Sequence, residues 1–280
     1  MAGSLYVVST PIGNLDDITV RAVETLRSVG LVAAEDTRRT ALLLKHFGLT
    51  TPTTSLHEHN ETQKIPQLIR QLANGVNIAL VSDAGTPVVA DPGQRLIAKA
   101  IEEGIRVVPI PGASAVTAAL AASGYPADSF VFAGFAPSKS NDRKSWLLAL
   151  VDEPRTVVFF EAPHRIAKTL SDMAGVFGDR PIIVARELTK LHEQIVRTTA
   201  REATGAAIPE RGEFTIVLGP VAPSQITENV DDDELSSFFY QMTDKRKSRR
   251  QAIAATAAKF GLSTNDVYAR LERLKPARPS

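Results

Sequence analysis

Residues 76–87 read VNIALVSDAGTP, and this stretch decides the fold. Val76–Ser82 is rich in Val, Ile and Leu, the composition of a strand buried on both faces. The run then breaks into Asp83-Ala84-Gly85-Thr86-Pro87, residues that punctuate a tight turn. Just upstream, Ile65, Leu68, Ile69 and Leu72 fall at i, i+3, i+4 and i+7, a helical stripe that Asn74-Gly75 stops. Just downstream, Leu96, Ile97, Ala100 and Ile101 make a second stripe, closed by Gly104. Helix, buried strand, turn, helix is the repeating unit of an α/β sheet.

The same alternation extends in both directions. Leu5–Ser9, Leu31–Ala34 and Ile105–Ile110 read as further strands, which predicts a mainly parallel sheet. Phe130–Gly134, Thr156–Phe160, Ile182–Ala185 and Phe214–Leu218 read as the strands of a second α/β domain. These patterns set boundaries at 1–112 and 113–221, with a linker over 219–224 and a helical tail over 225–280. In the tail an acidic run, 228–234, precedes a stripe of Leu235, Phe238, Phe239 and Met242. The basic run Lys245-Arg246-Lys247-Ser248-Arg249-Arg250 follows. Ile253, Ala257 and Phe260 then form one helix face, and Gly261 a turn. Ser263 is placed to cap a last helix lined by Val267, Leu271 and Leu274. Two short helices about a glycine predict a helix-turn-helix.

Composition narrows the classes of function. The chain has 280 residues, 44% apolar and 22% charged, which excludes a disordered or fibrous protein. The net charge of +1 argues against a uniformly polyanion-coating surface but leaves room for a local patch. With no cysteine, thiolate metal sites, iron–sulfur clusters and thiol nucleophiles are excluded. The N-terminus lacks the pattern of a signal peptide, and no apolar run is long enough to span a membrane, so the expectation is a cytoplasmic protein. No G-x-G-x-x-G follows a strand, and Walker and G-x-S-x-G motifs are absent. Instead three strand ends carry Gly and Pro: 10–14 (TPIGN), 82–87 (SDAGTP, followed by DPG at 91–93) and 111–115 (PGASA). Each alone is an ordinary turn. Three at the carboxyl ends of α/β strands point to a ligand cleft.

These motifs, together with AEDTR (34–38), HEHN (57–60), FEAPHR (160–165) and ARELTK (185–190) in this order, resemble the tetrapyrrole methylase superfamily, and most closely its branch that modifies small-subunit ribosomal RNA. The resemblance covers nearly the whole chain. It implies two α/β domains with S-adenosylmethionine in a cleft between them, and a small helical C-terminal domain. It implies 2′-O-methylation of a cytidine ribose in the decoding region, on free small-subunit ribosomal RNA or the assembled subunit, by a homodimer that needs no metal. By resemblance Asp83, Gly85, Thr86, Val88, Ser114 and Ala115 line the cofactor, and Pro11, Phe160, Glu161 and Leu188 add to it. The sequence departs from small-molecule relatives at Ser82-Asp83-Ala84, where many carry Gly-Asp-Pro; the carboxylate is kept.

A ribose hydroxyl is a poor nucleophile, so a base or a nearby cation should assist. Glu35, Asp36, His57 and Lys190 are the leading candidates, with Glu58, Glu187 and Glu193 behind them. Asp36 equally suits a helix N-cap. Lys190 serves as a base only with a depressed pKa. His57 and His59 are half a metal site without an evident third ligand, so no metal is expected. Arg38, Arg39 and Arg165 are candidate phosphate contacts, and Lys245, Arg246, Lys247, Arg249 and Arg250 an electrostatic footprint for RNA. Two other readings stay open at this point: a small-molecule methylase of the same fold, which leaves the basic tail unexplained, and a ligand-sensing DNA-binding regulator.

Overall fold

The computed structural model describes residues 2–221, 231–244, 248–260, 262 and 264–274. Two compact units emerge, one through Pro220 and one from Val221 onward.

In the first unit, β1 (Ser4–Val8), β2 (Leu31–Ala34), β3 (Thr53–Ser55), β4 (Ile78–Val81) and β5 (Arg106–Ile110) form one sheet in the order β3-β2-β4-β1-β5. All its pairings are parallel. Helices α1 (Val20–Ser28) and α2 (Thr37–His46) cover one face through Ala22, Leu26 and Leu44, which pack with Val8, Val32 and Val81. Helices α3 (Glu61–Ala73) and α4 (Gln94–Glu102) cover the other through Leu68, Leu72, Leu96 and Ala100, which pack with Leu5, Ile78 and Leu80. Every residue of β4 is buried, as its unbroken apolar run requires.

The second sheet is mixed. It comprises β6 (Phe130–Phe135), β7 (Thr156–Glu161), β8 (Pro181–Arg186), β9 (Gln194–Thr199) and β10 (Phe214–Leu218), in the order β6-β7-β10-β8-β9. Only β6 and β7 pair in parallel. β10 inserts between β7 and β8, antiparallel to both, and β8 pairs antiparallel with β9. Alternate residues serve two cores. Val157, Phe159, Ile182, Val184, Ile216 and Leu218 join Leu147 of α6 (Ser140–Ala149) and Leu170 and Met173 of α7 (Ile166–Phe177). Val158, Ile183, Ala185 and Val217 join Val116, Ala119 and Leu120 of α5 (Ala115–Ser123).

That last cluster also contains Ile12 and Leu188. The loop after β1 is therefore anchored in the core of the second sheet, and the segments 1–112 and 113–221 share one packed cluster. Gly13 makes this approach possible: a Cβ there would stand 2.4 Å from Lys190 Cγ and 2.9 Å from the Leu188 carbonyl oxygen.

The second unit holds α8 (Asp232–Asp244), α9 (Arg249–Phe260) and α10 (Thr264–Arg273). Leu235, Phe239, Ala252, Ala257, Leu262, Val267 and Leu271 form its core. The acidic run helps start α8: Asp232, Asp233 and Glu234 occupy its first turn, where the helix dipole favours negative charge. Asp232 also pairs with Arg270 at 3.1 Å, and Glu234 with Lys259 at 3.6 Å. The linker residues 222–224, Glu228, Gly261 and Ser263 lie outside the described residues. Among the described residues, no helix is long and apolar enough to cross a membrane.

Candidate active site

The carboxyl ends of β1, β2, β4 and β5 meet around Asp83. Thr10, beyond β1, exchanges both backbone hydrogen bonds with Gly85, at 2.8 and 3.0 Å. The hydroxyls of Ser9 and Thr86 lie 2.9 Å apart, and Thr86 also donates to the Ala113 carbonyl at 3.4 Å. Asp83 Oδ1 accepts the backbone N–H of Asp36 at 2.9 Å, tying β4 to β2. Its Oδ2 faces Arg39 at 3.6 Å. A cavity of about 170 Å³ opens here, lined by Thr10, Pro11, Leu15, Arg39, Ser82 and Asp83 among others.

Backbone strain concentrates in two of the loops. Val88 and Ala90 after β4 hold φ of 77° and 65°, and Glu187 and Thr189 after β8 hold 52° and 68°. These four are all the non-glycine residues of positive φ among the described residues. Such conformations cost about 1–3 kcal/mol each and gather at ligand clamps. The two loop systems touch: the Asn14 backbone N–H donates to Thr189 Oγ1 at 3.1 Å.

Three carboxylates set the electrostatics. Burial pushes Glu35 above the usual carboxylate range, and the nearby charge of Asp83 adds to the effect. Burial raises Asp91 to about 6; the Ser82 hydroxyl works against it, and the charges of Glu35 and Asp83 reinforce it. Asp91 belongs to the DPG motif but was not among the site residues expected from sequence, because its environment is made by β2 and β4 rather than by its neighbours in the chain. In the unfolded chain Asp91 ionises near 3.8, in the fold near 6. Between these values the native state holds the extra proton, so this group's contribution to stability falls as pH rises through the window. Asp91→Asn is therefore expected to raise the melting temperature more at pH 7.5 than at pH 4.5. Equal shifts at both pH values in thermal unfolding would contradict the placement of a desolvated carboxyl here.

The other expected site residues sort by geometry. Asp36 is the N-cap of α2, its Oδ1 accepting the Arg38 N–H at 2.8 Å. The side-chain hydrogen bonds of Arg38 hold Asp36 down to about 2, which makes it a weak base. Arg38 is exposed but chelated by Asp36, and Arg39 faces Asp83. The His57 ring stands 3.1 Å from the Asn60 amide nitrogen. Among the described residues no group of three or more His, Asp or Glu is placed to hold a metal. Ser114 stands at the N-cap of α5 without capping it, which leaves the first helical amides open to an anionic group. Ala115 follows it at the start of α5. The Phe160 ring packs edge-on against Phe132 and Phe135 at 5.0 and 5.4 Å.

Three of the expected residues are already engaged by partners within the protein. Burial lowers the Lys190 pKa, but hydrogen bonds to Glu187 at 2.9 Å and Glu213 at 3.0 Å outweigh it and the net shift is upward, which favours the cation over the base. The Glu161 side chain is fully buried, and its carboxylate is taken up by the Ala162 N–H, Thr169 Oγ1 and Arg165. It has no surface to offer a ligand. Arg165 is held against that carboxylate at 2.7 Å and mostly buried, which leaves it little freedom to reach a phosphate. Lys245, Arg246 and Lys247 lie outside the described residues, whereas Arg249 and Arg250 open α9.

The donor set suits a cationic ligand that carries its own carboxylate. Asp83, Glu35 and Asp91 offer negative charge, the uncapped start of α5 offers amides, and the glycine at 85 brings backbone to the surface of the cleft. Residues 4–204 match the model of the family described as Tetrapyrrole (Corrin/Porphyrin) Methylases. The chain is 48% identical over 257 residues to "Ribosomal RNA small subunit methyltransferase I" of Synechocystis sp., covering 89% of this chain and 92% of that one. It is 44% identical over 272 residues to the protein of the same name from Pseudomonas aeruginosa, covering 95% and 96%. In fold it is similar to uroporphyrin-III-C-methyltransferase from Thermus thermophilus, with a TM-score of 0.55 at 18% identity over 77% of this chain and 94% of that one. The strand-end loops, the strained clamps and these likenesses agree that the chain belongs to the tetrapyrrole methylase family.

Proposed function

We propose that the protein transfers a methyl group from S-adenosylmethionine to the ribose 2′-oxygen of a cytidine in the decoding region of small-subunit ribosomal RNA. The observation that carries this reading is the extent of the likeness. The relatives named for ribosomal RNA methylation include two at 44% and 48% identity, and one of these matches covers 95% of the chain, so it runs on into the C-terminal helices. A small-molecule methylase has no use for that basic tail.

S-adenosylmethionine, when bound, supplies an electrophilic methyl on a sulfonium. Asp83, Gly85, Thr86 and Val88 from the loop after β4, Ser114 and Ala115 at the start of α5, and Pro11 and Leu188 from the facing loops would hold it, with Phe160 closing the apolar side. Asp83 matches its positive charge, and the amides at the start of α5 match its carboxylate. Transfer is an in-line displacement, so much of the rate comes from holding the nucleophilic oxygen in line with the methyl. Glu35 is the group to take the proton of the ribose hydroxyl. Its raised pKa brings it nearer the working pH than Asp36, and Lys190 remains charged. Arg39, exposed at the rim, is the candidate for the adjoining phosphate. The family resemblance adds a homodimer, which light scattering of the purified protein tests.

Substrate class is tested by label transfer. Purified small ribosomal subunits from cells lacking this protein should accept radiolabelled methyl, and tetrapyrrole precursors should not. Transfer to the precursors alone would return the protein to the small-molecule reading.

A further inference from the structure

The C-terminal unit carries a groove that the cleft chemistry does not use. It has a volume of about 630 Å³ and is lined by Arg249, Arg250, Ile253 and Ala254 of α9 and by Thr264 and Tyr268 of α10. Tyr268 is large, aromatic and 50% exposed, and it stands in the groove beside two arginines. The Arg249 guanidinium lies over its ring, 5.6 Å from the centroid, and is fixed there by a 2.6 Å ion pair to Glu272. Arg250 beside it is exposed, and among the described residues it has no ion-pair partner. The flanking sequence is strongly one-signed: residues 245–278 carry ten Lys or Arg against two acidic residues.

We propose that this groove captures one unpaired nucleotide of the RNA substrate, its base stacked against Tyr268 and Arg249 and its phosphate on Arg250. The inference rests on the reading of RNA as substrate and adds where, and in what form, the strand is gripped. Bases pulled from a helix stack on aromatic rings and guanidinium planes, and Tyr268 with Arg249 presents both. A positive rim with an apolar, aromatic floor matches a nucleotide with its base turned inward. It does not match a duplex, whose bases are stacked on each other and whose A-form major groove is too narrow for side chains to read. The Arg249–Glu272 pair has a definite part: it holds the guanidinium plane in place before the base arrives, so less freedom is lost on binding.

The test uses the full-length protein and a short fluorescein-labelled single-stranded RNA, with the matching duplex as its counterpart. The parent should bind the single strand more tightly than the duplex. Tyr268→Ala should weaken single-strand binding by on the order of ten- to a hundredfold and leave duplex binding unchanged, while Tyr268→Phe should stay within about twofold of the parent. Arg250→Ala should reduce the slope of log affinity against log salt by about 0.7. Circular dichroism and melting temperature confirm that each variant folds, and if Tyr268→Ala does not, Arg250→Ala, at an exposed position, decides: an unchanged salt slope and parental single-strand affinity would overturn the site. Equal affinity for duplex and single strand, or parental affinity in Tyr268→Ala, would overturn the groove as a nucleotide site. Label transfer to small ribosomal subunits by the parent is run alongside. Its absence would overturn the RNA reading and this inference with it, whereas normal transfer with unaltered RNA binding in Tyr268→Ala would overturn this inference alone.

Discussion

Asp83→Ala is expected to weaken S-adenosylmethionine binding by on the order of 10- to 100-fold, the scale of one lost charged hydrogen bond. The carboxylate is the junction of the cleft: one oxygen accepts the Asp36 amide at 2.9 Å and the other faces Arg39 at 3.6 Å. Its removal takes away the negative charge nearest the cavity and leaves Arg39 uncompensated, so a cationic ligand loses attraction and gains repulsion. The cost in stability should stay near ~1 kcal/mol, because the side chain is partly exposed and water can reach the freed amide. Titration calorimetry and thermal unfolding separate the two effects. Asp83→Asn refines them, since it keeps an acceptor for the amide but not the charge. Parental affinity in Asp83→Ala would show that the cofactor is held elsewhere.

Glu161→Ala should do the reverse, with a large loss of stability and a small loss of affinity. The carboxylate lies fully buried at the end of β7 with three donors around it: the Ala162 N–H at 2.7 Å, Thr169 Oγ1, and Arg165 at 2.7 Å. Arg165 Nε already lacks a hydrogen-bond partner. Without Glu161 the guanidinium becomes an uncompensated buried charge, which costs about 3–5 kcal/mol. For a chain of this size that is a fall in melting temperature of roughly 10 °C. Glu161→Leu combined with Arg165→Met removes both charges and should recover much of the loss, as apolar replacement of a buried pair often does. If Glu161→Ala melts like the parent but no longer binds the methyl donor, Glu161 returns to the cofactor site that its place in the motif first suggested.

The difference between these residues explains what the sequence could and could not reveal. β4, β7, β8 and β10 were legible because both faces of each are covered, so their apolar runs are unbroken. β3, three residues of Thr and Ser, and β9, QIVRTT, were not: both lie at sheet edges, where no continuous run is needed. A strand's pattern also carries no direction, so the antiparallel insertion of β10 between β7 and β8 could not be foreseen. Gly and Pro marked the turns that follow β1, β4 and β5, because those residue types answer to local geometry. The pairing of Asp83 with residues 36 and 39, the raised pKa of Asp91 and the burial of Glu161 arise between segments distant in the chain. The same holds for Lys190. Its sequence left a base of depressed pKa, a phosphate contact and a solvated charge all open, and the carboxylates of Glu187 and Glu213 brought beside it favour the cation.

The position of the transferred methyl reports substrate and chemistry together. Small ribosomal subunits from cells lacking the protein are incubated with it and with labelled S-adenosylmethionine, the RNA is digested by nuclease, and the modified nucleoside is identified by mass spectrometry. The expected result is a single methyl on the ribose 2′-oxygen of a cytidine in the decoding region. A methyl on a base, or no transfer by protein that still binds the donor, would contradict it.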